Sequence, residues 1–412
     1  MRQLYTIALR LALPLILLRL WWRGRREPGY REHVQERFGI YSCTKPDRAL
    51  WVHAVSVGEA RAAAPLVREL QRLLPDHAVV MTCTTAAGRD TLKQVYGESV
   101  IAAFLPYDYP EAVQGFLQSF RPRLAVLMET ELWPNLLAQC ALHGVPVVLA
   151  NARMSERSAR GYRRWRALMG PGIRSLAAVC AQSAADAGRL RALGAPRVVV
   201  TGNLKFDVAL DEAQLAAGRE WRTKLGRQVL LLASTRDGEE KLLLDEIPGS
   251  ASLLTVVVPR HPQRFDEVAQ RADARRTAAA MPGDRDRVYL GDTMGEMAFY
   301  YAACDVAVIG GSFMPLGGQN LIEALAAGAP VVLGPSMFNF AEATRLALEA
   351  GAAVQLADAK AAVGEAIRLL SSPGERSAMR AAGKKLCEAH RGATRRHVEV
   401  IAAAGVTAPA RG

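Results

Sequence analysis

Leu50-Trp51-Val52-His53-Ala54-Val55-Ser56-Val57-Gly58-Glu59 is the stretch from which the fold of this chain is read. Leu50–Val55 is a short, mostly apolar run of the kind buried inside parallel sheets. From Glu59 to Leu74 the apolar residues Ala63, Leu66, Leu70, Leu73 and Leu74 return at helical spacing. Between the two, Ser56 stands at an N-cap position, and Gly58 lets backbone or ligand come close. Strand, tight turn and helix open an α/β domain. They put Glu59 in a first helical turn at the carboxyl end of the first strand, the edge along which open parallel sheets bind ligands. An acid there also complements the helix dipole, so position alone leaves a structural reading of Glu59 open.

Outward from that turn the pattern repeats. Strand-like runs lie at Leu50–Val55, Ala78–Cys83, Val100–Leu105, Leu124–Met128, Val145–Ala150, Ala177–Ala181 and Val198–Val200, with helical stretches between them. Around Thr201–Arg222 the pattern lapses into a more polar connection. A second series runs Gln228–Ala233, Leu253–Val258, Val288–Leu290, Val306–Ile309, Pro330–Leu333 and Ala353–Leu356. The expected fold class is α/β, with two Rossmann-like doubly wound domains facing across a cleft. A chain of 412 residues exceeds the usual single core, which fits two domains. The expected boundaries are 1–24 for an N-terminal membrane anchor, 25–205 for the first domain and 206–227 for a linker. The second domain follows at 228–385, then a C-terminal helix and tail at 386–412.

With 50% hydrophobic and 22% charged residues, the composition leaves little room for disorder. Cys43, Cys83, Cys140, Cys180, Cys304 and Cys387 are scattered, without CxxC pairs or zinc spacing, and read as reduced cytosolic thiols. The net charge of +12 is concentrated. Residues 1–39 hold eight Arg against three Glu, and residues 151–166 hold six Arg against one Glu. A nucleic-acid binder would spread its cations along a groove and interleave aromatics, whereas charge beside an apolar N-terminus suits an anionic membrane surface. Leu4–Trp22 is interrupted only by Thr6, Arg10, Pro14 and Arg19. As a helix it would span roughly 28 Å, close to the hydrocarbon thickness of a bilayer. Trp21-Trp22-Arg23-Gly24-Arg25-Arg26 follows where a signal peptide needs small residues; it resembles an interfacial anchor that keeps the rest of the chain in the cytosol. A buried core helix is the competing reading. Arg10 and Arg19, nine residues apart, fall on opposite faces, which argues against a clean in-plane amphipathic helix.

The loops after successive strands carry the chemistry. In the first domain they are Thr82–Arg89, Met128-Glu129-Thr130-Glu131-Leu132-Trp133-Pro134-Asn135, Asn151-Ala152-Arg153-Met154-Ser155 and Gly202-Asn203-Leu204-Lys205-Phe206-Asp207. Two carboxylates leaving a hydrophobic strand are hard to explain by packing. In the second domain, Ala233–Glu240, Val258–Phe265, Gly291–Met297 and Gly310–Glu323 occupy the same edge. Glycines and Ser312 ahead of a helix would present backbone N–H groups to a phosphate, and Glu323 would reach ribose hydroxyls. No Lys-Ser/Thr follows the glycines, and no GxGxxG opens the first turn, so neither a P-loop nor a dinucleotide fingerprint is present.

Taken together, these strings resemble the 3-deoxy-D-manno-octulosonic acid (Kdo) transferase family, membrane-anchored inverting glycosyltransferases of the GT-B type in lipopolysaccharide inner-core synthesis. The likeness covers nearly the whole chain: the anchor with Arg23–Arg26, Val55–Glu59, Met128–Asn135, Asn151–Ser155, Leu204–Asp207, Val258–Pro262, Gly291–Glu296 and Gly317–Ala324. Gln319 departs from the family's more frequent histidine. The resemblance implies Glu59 as general base, ionised at neutral pH, activating an acceptor hydroxyl of the lipid A precursor (lipid IVA) toward CMP-Kdo. It implies Glu129 and Lys205 as transition-state stabilisers. Its CMP contacts fall on Pro259, Arg260, Met294, Gly295, Glu296, Gly311, Ser312, Asn320, Leu321, Ile322 and Glu323. CMP carries one phosphate, so no cofactor and no metal is expected. The implied location is the cytoplasmic face of a bacterial inner membrane, held through residues 1–26, with no nucleic-acid partner. Two other readings stand beside it: a membrane-surface glycosyltransferase using a UDP-sugar, and a non-catalytic module binding anionic lipid or nucleic acid. The arginines of 153–166 suit either the acceptor's phosphates or an exposed basic helix near lipid.

Overall fold

The computed structural model describes residues 1–42, 46, 48–208, 210–250 and 252–405. They form two compact units: Met1–Leu204 with the residues from Gly392 onward, and Lys205–Arg391. The first unit is built on a seven-stranded sheet of β1 (Ala49–His53), β2 (Ala78–Cys83), β3 (Ile101–Phe104), β4 (Pro122–Met128), β5 (Val147–Ala152), β6 (Ala178–Ala181) and β7 (Val198–Val200). All neighbours pair in parallel, in the order β3-β2-β1-β4-β5-β6-β7. Every residue of β1 and β5 is buried, as expected of strands covered by helices on both faces. Trp51, Val80, Phe116, Leu127 and Leu149 pack on one face of the sheet, and Leu50, Val52, Met81, Val126 and Val148 on the other.

The second unit repeats the plan with β8 (Gln228–Thr235), β9 (Leu253–Pro259), β10 (Ala274–Arg275), β11 (Val288–Leu290), β12 (Val306–Ile309), β13 (Val331–Leu333) and β14 (Ala353–Gln355). Its order is β10-β11-β9-β8-β12-β13-β14, again parallel throughout. Each order reverses beside the first strand of its unit, between β1 and β4 and between β8 and β12. A doubly wound sheet opens a crevice at that point, so the loops after those strands are the ones to inspect.

Three features depart from the sequence-based expectation. The two-residue edge strand β10 is absent from the strand-like runs of the second series. Residues 206–227, expected as a linker, include the helix Glu212–Leu225, capped by Asp211 accepting from Ala213 and Gln214 N–H. It packs on the helix Met297–Ala303, burying Leu215 and Trp221, and Gly218 permits the contact because a Cβ there would lie 2.2 Å from the Phe299 carbonyl oxygen. Finally, the last helix, Ala393–Gly405, returns to the first unit. Ala393, Val398 and Ile401 join the core beneath β4, β5 and β6, and buried His397 accepts the Asn151 N–H at Nε2, 2.9 Å away. The expected free thiols Cys83, Cys140, Cys180, Cys304 and Cys387 are buried and unbridged, while Cys43 lies outside the described residues.

The N-terminal helix spans Arg2–Arg26, and Arg2–Arg25 is long and apolar enough to cross a membrane. It is no core helix: Leu4, Leu11, Leu15, Leu18 and Trp22 are exposed. Thr6 bonds Asn135, the Tyr109 hydroxyl donates to the Leu9 carbonyl, Arg10 pairs with Glu111, and Leu20 packs on Tyr30 and Ala86.

Candidate active site

In the first unit, the turn after β1 forms a capping box. Ser56 is the N-cap of the helix Val57–Ala62, its hydroxyl accepting from Glu59 N–H at 3.4 Å. The Glu59 carboxyl reaches back to take the Val55 N–H at 2.9 Å and the Ser56 hydroxyl at 3.0 Å. That clamp fixes the half-buried carboxyl at the switch point. Glu129 and Glu131 arrive from the adjacent strand β4, and the charges of both act on Glu59. Burial, then repulsion from Glu129, pushes Glu59 from its ordinary 4.5 up to about 7, against the opposing pull of its two donors. A value near 7 stands higher than a carboxyl at a helix N-terminus would have from the dipole alone.

Glu129 follows β4 with φ of 57°, in the left-handed region, while its N–H donates to the Ala150 carbonyl at 2.8 Å. A non-glycine residue held there costs about 1–3 kcal/mol, a strain that concentrates at functional positions. The Thr130 hydroxyl donates to the Arg153 carbonyl at 2.6 Å, and Glu131 Oε2 accepts the Trp133 indole N–H at 2.8 Å. Burial raises the Glu131 carboxyl, with Glu129 adding to the rise. The loop after β5 leads into the helix Glu156–Arg164, where Arg157, Arg160, Arg163 and Arg164 are exposed, as is Arg166 beyond it. Lys205 stands in a short 3-10 turn between Leu204, anchored in the core of the first unit, and Phe206, buried in that of the second.

Within the second unit a cavity of about 430 Å³ opens at the carboxyl ends of β8 and β9. Of the residues singled out from sequence, Pro259, Arg260, Met294, Gly295 and Glu323 line it. Burial pushes the Glu323 carboxyl up, while Asn320 and Arg260 hold it back. Ser234, Asp211 and Gln214 also line the cavity and are additions to the expected contacts. Ser234 has φ of 55°, and Gly310 packs so close that a Cβ would stand 2.6 Å from the Ser234 carbonyl oxygen. The signal for Ser234 in the sequence is its place directly after the first strand of the second series.

The remaining expected contacts fall elsewhere. Glu296 is paired with Arg276 at 3.2 Å and accepts from the Thr293 hydroxyl. Asn320 caps the helix Leu321–Ala327 and donates to Glu323 at 2.9 Å, while Leu321 and Ile322 are buried in the core and leave only backbone to a ligand. Gly311 and Ser312 correct the phosphate-cradle expectation. Fully buried Glu239 accepts N–H groups from Gly311 at 2.6 Å, Phe313 at 2.9 Å and Arg236 at 2.9 Å. The Ser312 hydroxyl donates to the Ile309 carbonyl and accepts the Gly334 N–H. The protein's own carboxylate therefore occupies the place assigned to a phosphate.

Residues 32–208 match the family model described as 3-deoxy-D-manno-octulosonic-acid transferase (kdotransferase). A 3-deoxy-D-manno-octulosonic acid transferase of Bordetella pertussis is 46% identical, the match covering 97% of this chain and 98% of the relative. One of Haemophilus influenzae is 35% identical, again over 97% and 98%. Among solved structures, the UDP-GlcNAc 2-epimerase of Neisseria meningitidis aligns with a TM-score of 0.50 at 16% identity, over 86% of this chain and 99% of that one, a likeness of fold alone. Two doubly wound units, with relatives 46% and 35% identical over nearly the whole length, lead to one conclusion: the chain belongs to the Kdo transferase family, glycosyltransferases that transfer Kdo in lipopolysaccharide synthesis.

Proposed function

We propose that this enzyme transfers Kdo from CMP-Kdo to the lipid A precursor lipid IVA, with inversion, at the cytoplasmic face of the bacterial inner membrane. The observation that carries the reading is the Glu59 carboxyl, clamped by Val55 and Ser56 and raised to about 7. A general base works best when its pKa lies near the operating pH, and this one is oriented at a switch point beside a strained Glu129. Glu59 takes the proton of an acceptor hydroxyl as that oxygen attacks the anomeric carbon and CMP departs. A single displacement needs one base and no covalent partner. Glu129 offsets the oxocarbenium-like charge, and Lys205 offsets the charge growing on the departing phosphate.

CMP binds in the cavity lined by Pro259, Arg260, Met294, Gly295, Ser234 and Glu323. Asn320 contributes by holding Glu323. Turnover needs no divalent metal. The exposed apolar residues of Arg2–Arg26, with arginines interspersed among them, hold the enzyme on anionic lipid. The test is product analysis with CMP-Kdo and tetraacylated lipid A precursor, with CMP and UDP as competitors. A Kdo-bearing product, with inhibition by CMP but not UDP, supports the reading. Competition by UDP alone sinks it in favour of a UDP-sugar donor.

A further inference from the structure

The N-terminal helix Arg2–Arg26 has two faces that differ in what they touch. Leu4, Ile7, Leu11, Leu15, Leu18 and Trp22 recur at intervals of three and four residues, and all are between 52% and 77% exposed. At 3.6 residues per turn they fall within an arc of about 80°, a single stripe along the helix. Half a turn away, Thr6 and Leu20 are buried and Tyr5, Leu9, Leu13 and Ile16 half-buried. That second face is docked on the first unit. Tyr5 bonds Asp108, Asn135 Nδ2 donates to the Thr6 hydroxyl at 3.0 Å, the Tyr109 hydroxyl donates to the Leu9 carbonyl at 2.9 Å, and Leu20 packs on Tyr30 and Ala86. From Tyr5 to Leu20 these contacts run along about 22 Å of helix.

A helix that crosses a bilayer cannot keep such contacts. Asp108, Tyr109 and Asn135 belong to the first unit, and a spanning helix would either drag them into hydrocarbon or leave them behind. Held along its length, the helix lies along the surface of the unit, and its free face is the one lipid meets. The arginines agree. Arg10 and Arg19 stand half a turn apart, which in the bare sequence weighs against an in-plane helix. Around the observed stripe, each sits about a quarter-turn away, one on either flank, and both are exposed. A helix lying in the interface carries its charges at that level, beside headgroup phosphates, while its apolar ridge enters the acyl region. Exposed Trp21 and Trp22, with Arg23 and Arg25, close the C-terminal end with the aromatic and basic groups of an interfacial anchor. We propose that the helix Arg2–Arg26 does not cross the membrane but lies in the plane of an anionic bilayer, its stripe from Leu4 to Trp22 inserted and its opposite face fixed to the first unit.

This orientation rests on reading the chain as a membrane-surface enzyme with Glu59 as its base. Ala86, on which Leu20 packs, opens the helix Ala86–Tyr96. Gly88, in the first turn of that helix, stands so close to the Glu59 turn that a Cβ would lie 3.3 Å from the Val55 carbonyl oxygen. Val55 is the residue whose N–H clamps the Glu59 carboxyl. One helix therefore separates anchor from base, and an in-plane anchor fixes the height of Glu59 over the lipid that carries the acceptor. It also keeps the amino terminus on the same side of the membrane as the sheet, where a crossing would put the two on opposite sides.

The experiment uses the full chain carrying Cys43→Ser, the other five cysteines being buried, bound to vesicles of phosphatidylethanolamine and phosphatidylglycerol. Spin labels are placed singly at Leu4→Cys, Leu11→Cys and Leu18→Cys, and their depth is read from collisions with oxygen and with a water-soluble nickel complex. An in-plane helix gives all three labels one shallow depth, about 5–10 Å below the headgroups. A depth that changes by about 10 Å between successive labels is a crossing and overturns the proposal. In the same background, exposed Gln3→Cys should react with an impermeant maleimide in inverted inner-membrane vesicles and stay unlabelled in spheroplasts; labelling in spheroplasts overturns the proposal as well. Leu11→Gln with Leu15→Gln, at exposed positions that the fold does not use, should weaken vesicle binding about tenfold or more, and unchanged binding would leave the stripe without its lipid. Labels shielded from oxygen and broadened by one another between chains would put a second copy on the stripe instead. A wild-type chain that binds no vesicles removes the membrane reading itself, whereas bound protein with graded label depths removes only the in-plane helix.

Discussion

Replacing Glu59 with glutamine separates a base from a helix cap, because the two roles predict opposite signs for stability. The carboxyl is raised from 4.5 to about 7 in the folded chain. For an acid whose folded pKa is raised, the associated penalty is absent below the unfolded value and complete above the folded one. At about 1.4 kcal/mol per pH unit, the difference amounts to about 3 kcal/mol of destabilisation above pH 7, or about 2 kcal/mol once partial exposure is allowed for. Glutamine carries no charge and its one carbonyl oxygen retains one of the two donors, Val55 N–H or Ser56 hydroxyl. Losing the second costs about 1 kcal/mol. Glu59→Gln is therefore expected to be more stable than wild type by about 1 kcal/mol at pH 8 and less stable by about 0.5 kcal/mol at pH 5, where part of the penalty is already present. Transfer from CMP-Kdo should fall by about 10²–10⁴-fold, with CMP affinity unchanged. Calorimetry at the two pH values, with product formation measured alongside, checks both arms. A variant destabilised equally at pH 5 and pH 8, with turnover reduced less than tenfold, would refute the reasoning and leave Glu59 a cap.

Other outcomes follow from the same geometry. Wild-type kcat/KM should rise with pH through about 7, since Glu59 must lose its proton to act, and a flat profile from pH 5 to 8 would contradict that. Glu239→Ala leaves three backbone donors without their acceptor and should cost about 3 kcal/mol or more, read as earlier unfolding of the second unit together with weaker CMP binding in calorimetry. Gly218→Ala drives a methyl into the Phe299 carbonyl and should lower stability by about 2 kcal/mol or more while leaving acceptor KM unchanged. Turnover should survive EDTA, and chelation that abolishes it would overturn the metal-free reading.

Much of the architecture is legible in the chain because parallel strands buried on both faces need uninterrupted apolar runs, and Leu50–Val52, Val147–Leu149 and Val306–Ile309 are such runs. The edge strand Ala274–Arg275 has no such signature; two residues, one an arginine bonded to Asp292, leave no periodicity to find. The helix Glu212–Leu225 is obscured because only Leu215, Gly218 and Trp221 of its face are buried. Glu59 and its N-cap are visible as Ser-x-x-Glu, yet its raised pKa is not, since it comes first from burial in the folded chain and then from a charge at a strand end seventy positions along. The glycine-rich loop misleads for a related reason: its N–H groups do seek an anion, and Glu239 from the first turn after β8 reaches them within the protein itself.

The helix Ala393–Gly405 closes the core of the unit in which the chain begins. During synthesis, at about 5–20 residues per second, roughly ten to forty seconds pass between emergence of the last strand of that unit and arrival of the segment that seals it. Through that interval the hydrophobic underside of β4 to β6 lacks its cover, while the segment bearing the exposed leucines has already left the ribosome. The nascent polypeptide therefore carries two uncovered apolar surfaces through that interval, and only the thirteen-residue helix made last removes one of them.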